Sequence, residues 1–245
     1  GRRLYQAALR RDCERRDSGA LLMHLCAPDG LRTQRCLALL VMVAGAALLM
    51  PVLRLRASAG TIEAVANGSW LFASTLLFVP LGDYERRLMR LAVTRGEQGL
   101  VKLAPGMPGA AAAFNRHLAA RLLRAGLAEW GACSAAVLAV VAITGASAEI
   151  LWMQACVCCL TLPLLASTLR DHARHSGAAG WPLLSALLGS SAACWLAGAL
   201  ATRYLGAQTM PVAALASVAL AAVVVAWRWR RLAGAPHAFP VGRLA

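Results

Sequence analysis

The sequence predicts an all-α polytopic membrane protein with six transmembrane helices, both termini cytoplasmic, and amphipathic helices on the cytoplasmic side. Three observations lead there. Hydrophobic residues make up 59% of the 245-residue chain and charged residues only 15%, against about 45–50% and about 25% in a soluble domain. The mean hydropathy is correspondingly high, +0.60, and the apolar residues gather in runs near the ~20 residues a helix needs to cross about 30 Å of hydrocarbon. Finally, nearly all basic residues lie between those runs, and on alternate connectors. A disordered chain, a secreted disulfide scaffold and an ordinary soluble enzyme are all excluded by this pattern.

The spans follow in order. The first runs from about Cys36 to Leu53. The second, about Thr61 to Gly82, carries Glu63 and Asn67 near its start. The third covers about Leu127 to Ala146 and the fourth about Ile150 to Thr168, with Pro163 inside it. The fifth runs from Trp181 to Thr202, where Gly189, Ala193 and Gly198 allow close helix approach. The sixth runs from about Met210 to Trp227. Five parts result: an arm at 1–35, helices one and two at 36–82, a long segment at 83–126, helices three to six at 127–227, and a tail at 228–245. In the arm, residues 2–16 form an interfacial helix and Asp29-Gly30 makes a turn before the first span. The first apolar run begins only near residue 36, behind an Arg-rich stretch, so it reads as a retained span and not a cleaved signal. The chain opens on Gly1-Arg2-Arg3 without Met, which points to residues upstream.

Charge sets the orientation. Residues 1–35, 83–126, 169–180 and 228–245 carry 8, 8, 2 and 4 Lys/Arg, 22 in all, whereas the other connectors hold only Arg54, Arg56 and Arg203. Positively charged loops stay in the cytoplasm, so both termini are placed there. The same rule accounts for most of the net charge of +14 without nucleic acid as a partner; the partner it implies is the lipid bilayer. Trp130, Trp152, Trp181, Trp227 and Trp229 fall near span ends, where indole rings prefer the interface. All but one of the 25 basic residues are Arg; with the abundant Ala and Leu, this composition suggests a bacterial inner-membrane protein.

Chemistry-bearing residues are few. Met153, Cys156, Cys158 and Cys159 have the soft ligands that suit Cu(I), but Cys158 points away from the face shared by Cys156 and Cys159. Packing is the better reading of these thiols, and no metal site is expected. His172 and His175 lack the further ligands that zinc needs. Glu63 and Asn67 are the candidate pathway-lining residues, because polar groups within spans mark cavities; Glu129 and Glu149 fall at span ends, within reach of water. The single lysine, Lys102, lies between Val101 and Leu103, so no G-x-x-x-x-G-K-[ST] phosphate loop exists. The chain is not expected to hydrolyse ATP itself, and no catalytic group or cofactor is expected in it.

The segment at 83–126 is too long for a connector. Leu88, Leu91 and Ala92 share a helical face, and a break follows at Pro105-Gly106-Met107-Pro108. Phe114, Leu118, Leu122 and Leu123, with Arg116, Arg121 and Arg124, then form a basic amphipathic helix leading into span three. Within the segment stands Glu97-x-Gly99, followed by Pro108 eleven residues after Glu97, with Arg95 ahead. Together with six spans and both ends inside, this resembles the permease subunits of type-2 ABC exporters, whose intracellular segment often reads E-x-G-T-x-E with a Pro at that distance. Leu100 and Lys102 stand where the family has Thr and Glu, and the outer connectors are shorter than the family's.

The resemblance implies that Glu97, Gly99, Val101 and Pro108 couple the spans to an ATP-binding subunit, which would carry ATP and Mg. It also implies a second permease copy or a sister permease. The competing reading is a non-transport membrane scaffold or accessory subunit of a larger membrane complex. A channel or secondary transporter is disfavoured, since spans 1–3 and 4–6 show no internal repeat and little midplane polarity.

Overall fold

The computed structural model describes residues 2–15, 17–26, 29–75, 77, 87, 89–104, 106–174, 206 and 209–244, and among them it is helical with no strand. The arm forms α1 (Arg2–Glu14) and α2 (Ser18–Cys26). Between them Asp17 caps α2, its Oδ1 accepting from the N–H groups of Gly19 (3.0 Å) and Ala20 (2.9 Å), the bonds expected of an acid at a helix start. α3 (Asp29–Arg56) begins at Asp29. The expected Asp29-Gly30 turn is therefore corrected: both residues are helical. α4 (Ala59–Thr75) follows the bend at 57–58.

Residues 89–93 are helical and pass through a 3₁₀ turn at Thr94–Gly96 into the short α5 (Gln98–Val101). α6 (Ala111–Ile143) is one unbroken helix of 33 residues. At 1.5 Å per residue it is ~50 Å long, so about two-fifths of it exceeds the ~30 Å of a bilayer core. The amphipathic stretch and span three are thus one rod, without a joint near residue 126. α7 (Ala148–Leu160) starts on Ser147, whose hydroxyl accepts from Ile150 N–H. It then tightens to 3₁₀ over Leu162–Thr168. Pro163 explains the change, because its ring removes one N–H donor and disfavours α geometry in the residue before it. α8 (Thr209–Arg231) continues past Trp227 through Arg228, Arg230 and Arg231.

Four of these stretches are long and apolar enough to cross a membrane: Arg35–Arg56, Ala111–Ile143, Ala148–Ala166 and Thr209–Arg231. They match expected spans one, three, four and six. α4, with 17 residues, covers the first part of span two. Span five, with Gly189, Ala193 and Gly198, lies outside the described residues. The spans keep large apolar side chains on the outside: Leu40, Leu48, Leu55, Leu215 and Val223 are all exposed. Water disfavours so continuous an apolar surface, whereas lipid accepts it.

α6 is the centre of the bundle and packs against α3, α4 and α7, while α8 packs on α7 and the 3₁₀ segment. Leu77, Val137, Val141 and Cys158 form one core within the bundle. A second core gathers at one end, where Leu22, Leu25 and Cys26 of α2 meet Leu91, then Phe114, Leu118 and Leu122 of α6, then Ala238, Phe239 and Val241. The arm, the 89–126 segment and the tail therefore share one end of the molecule. Residues 172–173 join them through backbone bonds from Gly242 to His172 O and Leu244 to Ala173 O, both 2.9 Å. At the other end, Arg54 Nη2 lies 3.0 Å from where a Cβ on Gly145 would sit.

Candidate functional site

The residues singled out by their resemblance to a coupling motif sit at the end that holds the second core. Glu97 and Gly99 are exposed, and Val101 and Pro108 are half-buried. Val101 and Met107 pack against the core of α2, α6 and the tail. Around Gly99 an added Cβ meets nothing within 4 Å, so this glycine is not there to relieve packing. Gly106, at φ +82°, has the left-handed conformation that reverses the chain between α5 and α6 at low cost only for glycine.

The residue that holds this segment in place is Gln98, the unassigned middle of Glu97-x-Gly99. It is fully buried. Its amide Nε2 donates to Leu91 O, and its Oε1 accepts from Val241 N–H at 2.8 Å. One side chain thus ties the segment both to the helical stretch before it and to the C-terminal tail. Asn115 does the same from α6: Nδ2 donates to Pro236 O (3.0 Å) and Ala235 O (3.3 Å), and Oδ1 accepts from Ala238 N–H (2.8 Å). Phe114 stacks on His237, with ring centroids 4.4 Å apart, and meets Phe239 edge-on at 5.1 Å. The stretch 235–241 is therefore a buried strap across α6 and α5. Buried polar groups are costly unless paired, so Gln98 and Asn115 specify where the strap lies.

With Gln98 facing inward, the opposite side of the segment carries Val93, Leu100 and Leu103, which are 80%, 70% and 81% exposed. The result is an apolar lip, backed by a packed core that includes Phe114, Leu118 and Leu122 of α6. The lip is tied to the rest of this end through Gln98 and the strap, and through the packing of Val101. It holds no nucleophile–base pair. Among the described residues no group of three or more His, Cys, Asp or Glu converges as a metal site. Cys156 and Cys158 are buried and Cys159 half-buried on α7, as packing residues are.

Glu63 lies exposed on the second turn of α4, and Asn67 is on the same helix; neither joins the lip. Glu129 departs from the expectation of a water-reached span end. Its Oε1 accepts from Arg35 Nη1 of α3 at 3.4 Å and from Arg87 Nη2, with all three side chains at least four-fifths buried. Glu129 thereby joins α3, α6 and the entry to the 89–126 segment. Only the third dimension brings residues 35, 87 and 129 together.

Two titrations probe this end of the molecule. Burial pushes the Cys26 thiol up to about 12, partly opposed by the nearby Arg87 guanidinium. Since the thiolate is the reactive form, at pH 8 only about one Cys26 in ten thousand is reactive. Cys13, by contrast, is exposed. Maleimide labelling of the intact chain followed by peptide mapping is expected to mark Cys13 and leave Cys26 unmodified; rapid labelling of Cys26 would show that α2 is not docked.

His237 is held below its ordinary value of 6.5, first by burial and then by the like charges of Lys102 and Arg243. Its folded form therefore disfavours the charged ring, so the strap has its full stability above pH 6.5 and loses stability as pH falls toward the lowered folded value. An NMR titration of His237 is expected to show a midpoint below 6.5. In thermal melts the loss of stability on acidification is expected to shrink in His237→Phe; an unchanged acid limb would place the effect elsewhere.

Comparisons with known proteins leave the family open: no family model matches the chain, and neither a curated protein nor a solved structure matches it.

Proposed function

We propose that the chain is the permease subunit of an ATP-driven exporter in a bacterial inner membrane, with the clustered end in the cytoplasm. Its spans form the translocation pathway, Glu63 and Asn67 being the candidate lining groups, and a separate ATP-binding subunit docks on residues 97–108. A second permease copy, or a sister permease, completes the pathway. The observation that carries this reading is the apolar lip of Leu100 and Leu103, exposed on one side of α5 while Gln98 anchors the other. A surface that is rigid, apolar and tied to a helix as long as α6 suits a partner that pushes. ATP binding to that partner would favour one access state by contacting it differently from the other.

Because Gly99 has open space around it and Leu100 is exposed, Gly99→Trp/Leu100→Glu is expected to leave the fold intact and to block docking. The chain would be purified in mild detergent from its native host with whatever accompanies it. A nucleotide-binding subunit is expected to co-purify with the natural chain and to be lost, by at least tenfold, from the double variant. If intact complexes contain no ATPase, the chain has no energy source for transport, and the scaffold reading takes first place.

A further inference from the structure

We infer that the cleft between the end of α8 and residues 169–174 is a binding site for the headgroup of an anionic phospholipid. The cleft has a volume of about 750 Å³ and is lined by Arg170, Arg174, Arg228 and Arg231, with Asp171 the acid among its lining residues. Asp171 is already engaged by Arg174 at 3.4 Å. Among the described lining residues, Arg174, Arg228 and Arg231 stand against the one carboxylate of Asp171, so the cleft carries a positive field that attracts phosphate oxygens.

The walls are preformed. Leu169 and Leu232 are buried against Ala119 of α6, with Val225 and Trp229 packed on them, and Arg228 Nη1 donates to Ala166 O at 2.8 Å. That bond orients the Arg228 guanidinium and uses one of its five N–H donors. At the lip, the guanidinium carbon of Arg231 lies 4.1 Å from the centroid of the half-exposed Trp227 ring.

Two features favour a lipid over a soluble phosphate. Trp227 marks the level at which indole rings sit among headgroups, and the arginines begin directly below it. Above it, Val212, Leu220 and Val223 are exposed on the face of α8 that carries Trp227, spaced as one helical stripe. Acyl chains lying along that stripe bring a phosphate to the mouth of the cleft. Basic pockets at this depth on the cytoplasmic side are where anionic headgroups are held. The site requires a membrane but not transport, so it stands or falls apart from the exporter reading.

The test uses the full chain in dodecyl maltoside micelles, titrated with phosphatidylglycerol or phosphatidylcholine and read by native mass spectrometry. Phosphatidylglycerol is expected to bind at least tenfold more tightly. Arg174→Gln/Arg231→Gln is expected to weaken it by roughly ten- to thirtyfold, from the loss of two surface charges, whereas Arg174→Lys/Arg231→Lys stays within about threefold of the natural chain. Both side chains are exposed, so folding is expected to persist, with unchanged melting. Arg90→Gln/Arg95→Gln, which removes two exposed charges elsewhere, is expected to bind normally. Equal affinity for the two lipids, full binding by the Gln pair, or an equal loss in the Arg90/Arg95 variant would each overturn the site. Displacement of the lipid by 10 mM inorganic phosphate would overturn the lipid assignment in favour of a soluble anion.

Discussion

Glu129→Ala is expected to destabilise the chain by about 3–5 kcal/mol, the cost of breaking a buried ion pair from one side. The reason is arithmetic of charge. Glu129 accepts from both Arg35 and Arg87, and its removal takes the carboxylate from two largely buried guanidiniums. Replacing the residues together is a different experiment. Arg35→Leu/Arg87→Leu/Glu129→Leu removes the charges along with the carboxylate and is expected to recover most of the loss, because apolar replacements of similar volume are often neutral or stabilising. Denaturation of the purified protein in mixed micelles, followed by circular dichroism, measures both. A single variant within about 1 kcal/mol of the natural chain would show that the triad is solvated and contributes little.

Phe239→Ala is expected to cost about 3–5 kcal/mol at the clustered end, the range for deleting a large aromatic from a core. Phe239 is fully buried, edge-on to Phe114, in the core that α2, α6 and the tail share. Its loss opens a cavity where three chain segments meet. The damage is expected to be local: the bundle core of Val137, Val141 and Cys158 has no contact with it. Limited proteolysis is expected to cut the variant within residues 232–244 and the arm while the spans stay protected, and Cys26 is expected to become reactive to maleimide. A tail that stays protease-resistant in the variant would mean that Gln98 and Asn115 suffice to hold it.

Four of the six expected spans, the first, third, fourth and sixth, were legible in the sequence, because lipid imposes a one-dimensional rule. Each crossing needs an apolar run of fixed length, and Cys36–Leu53 and Met210–Trp227 supply it without reference to any neighbour. The stripe of Phe114, Leu118 and Leu122 was legible too, since helical spacing alone puts these residues on one face, and all three are buried. The lip was half legible. Glu97, Gly99 and Pro108 drew attention by resemblance, but Gln98, the residue that fixes the segment, is a polar side chain in a polar stretch with no pattern to mark it. The break of the fourth span at Pro163 was signalled by the proline, although its 3₁₀ outcome was not.

What the sequence determined by itself is the position of the apolar runs and their helical length. Both follow from transfer free energies that depend on composition and spacing along the chain. What only the tertiary structure decided is which distant polar groups meet. Gln98 reaches Val241, Asn115 reaches Ala238 and Glu129 reaches Arg35, across 143, 123 and 94 residues of sequence. Such bonds are directional and short, so they exist only where packing brings donor and acceptor to about 3 Å. The tail reads as a free end in sequence, with four basic residues and two prolines. It becomes a strap because the start of α6 offers it a buried aromatic and one amide, Phe114 and Asn115, and α5 offers the second amide, Gln98.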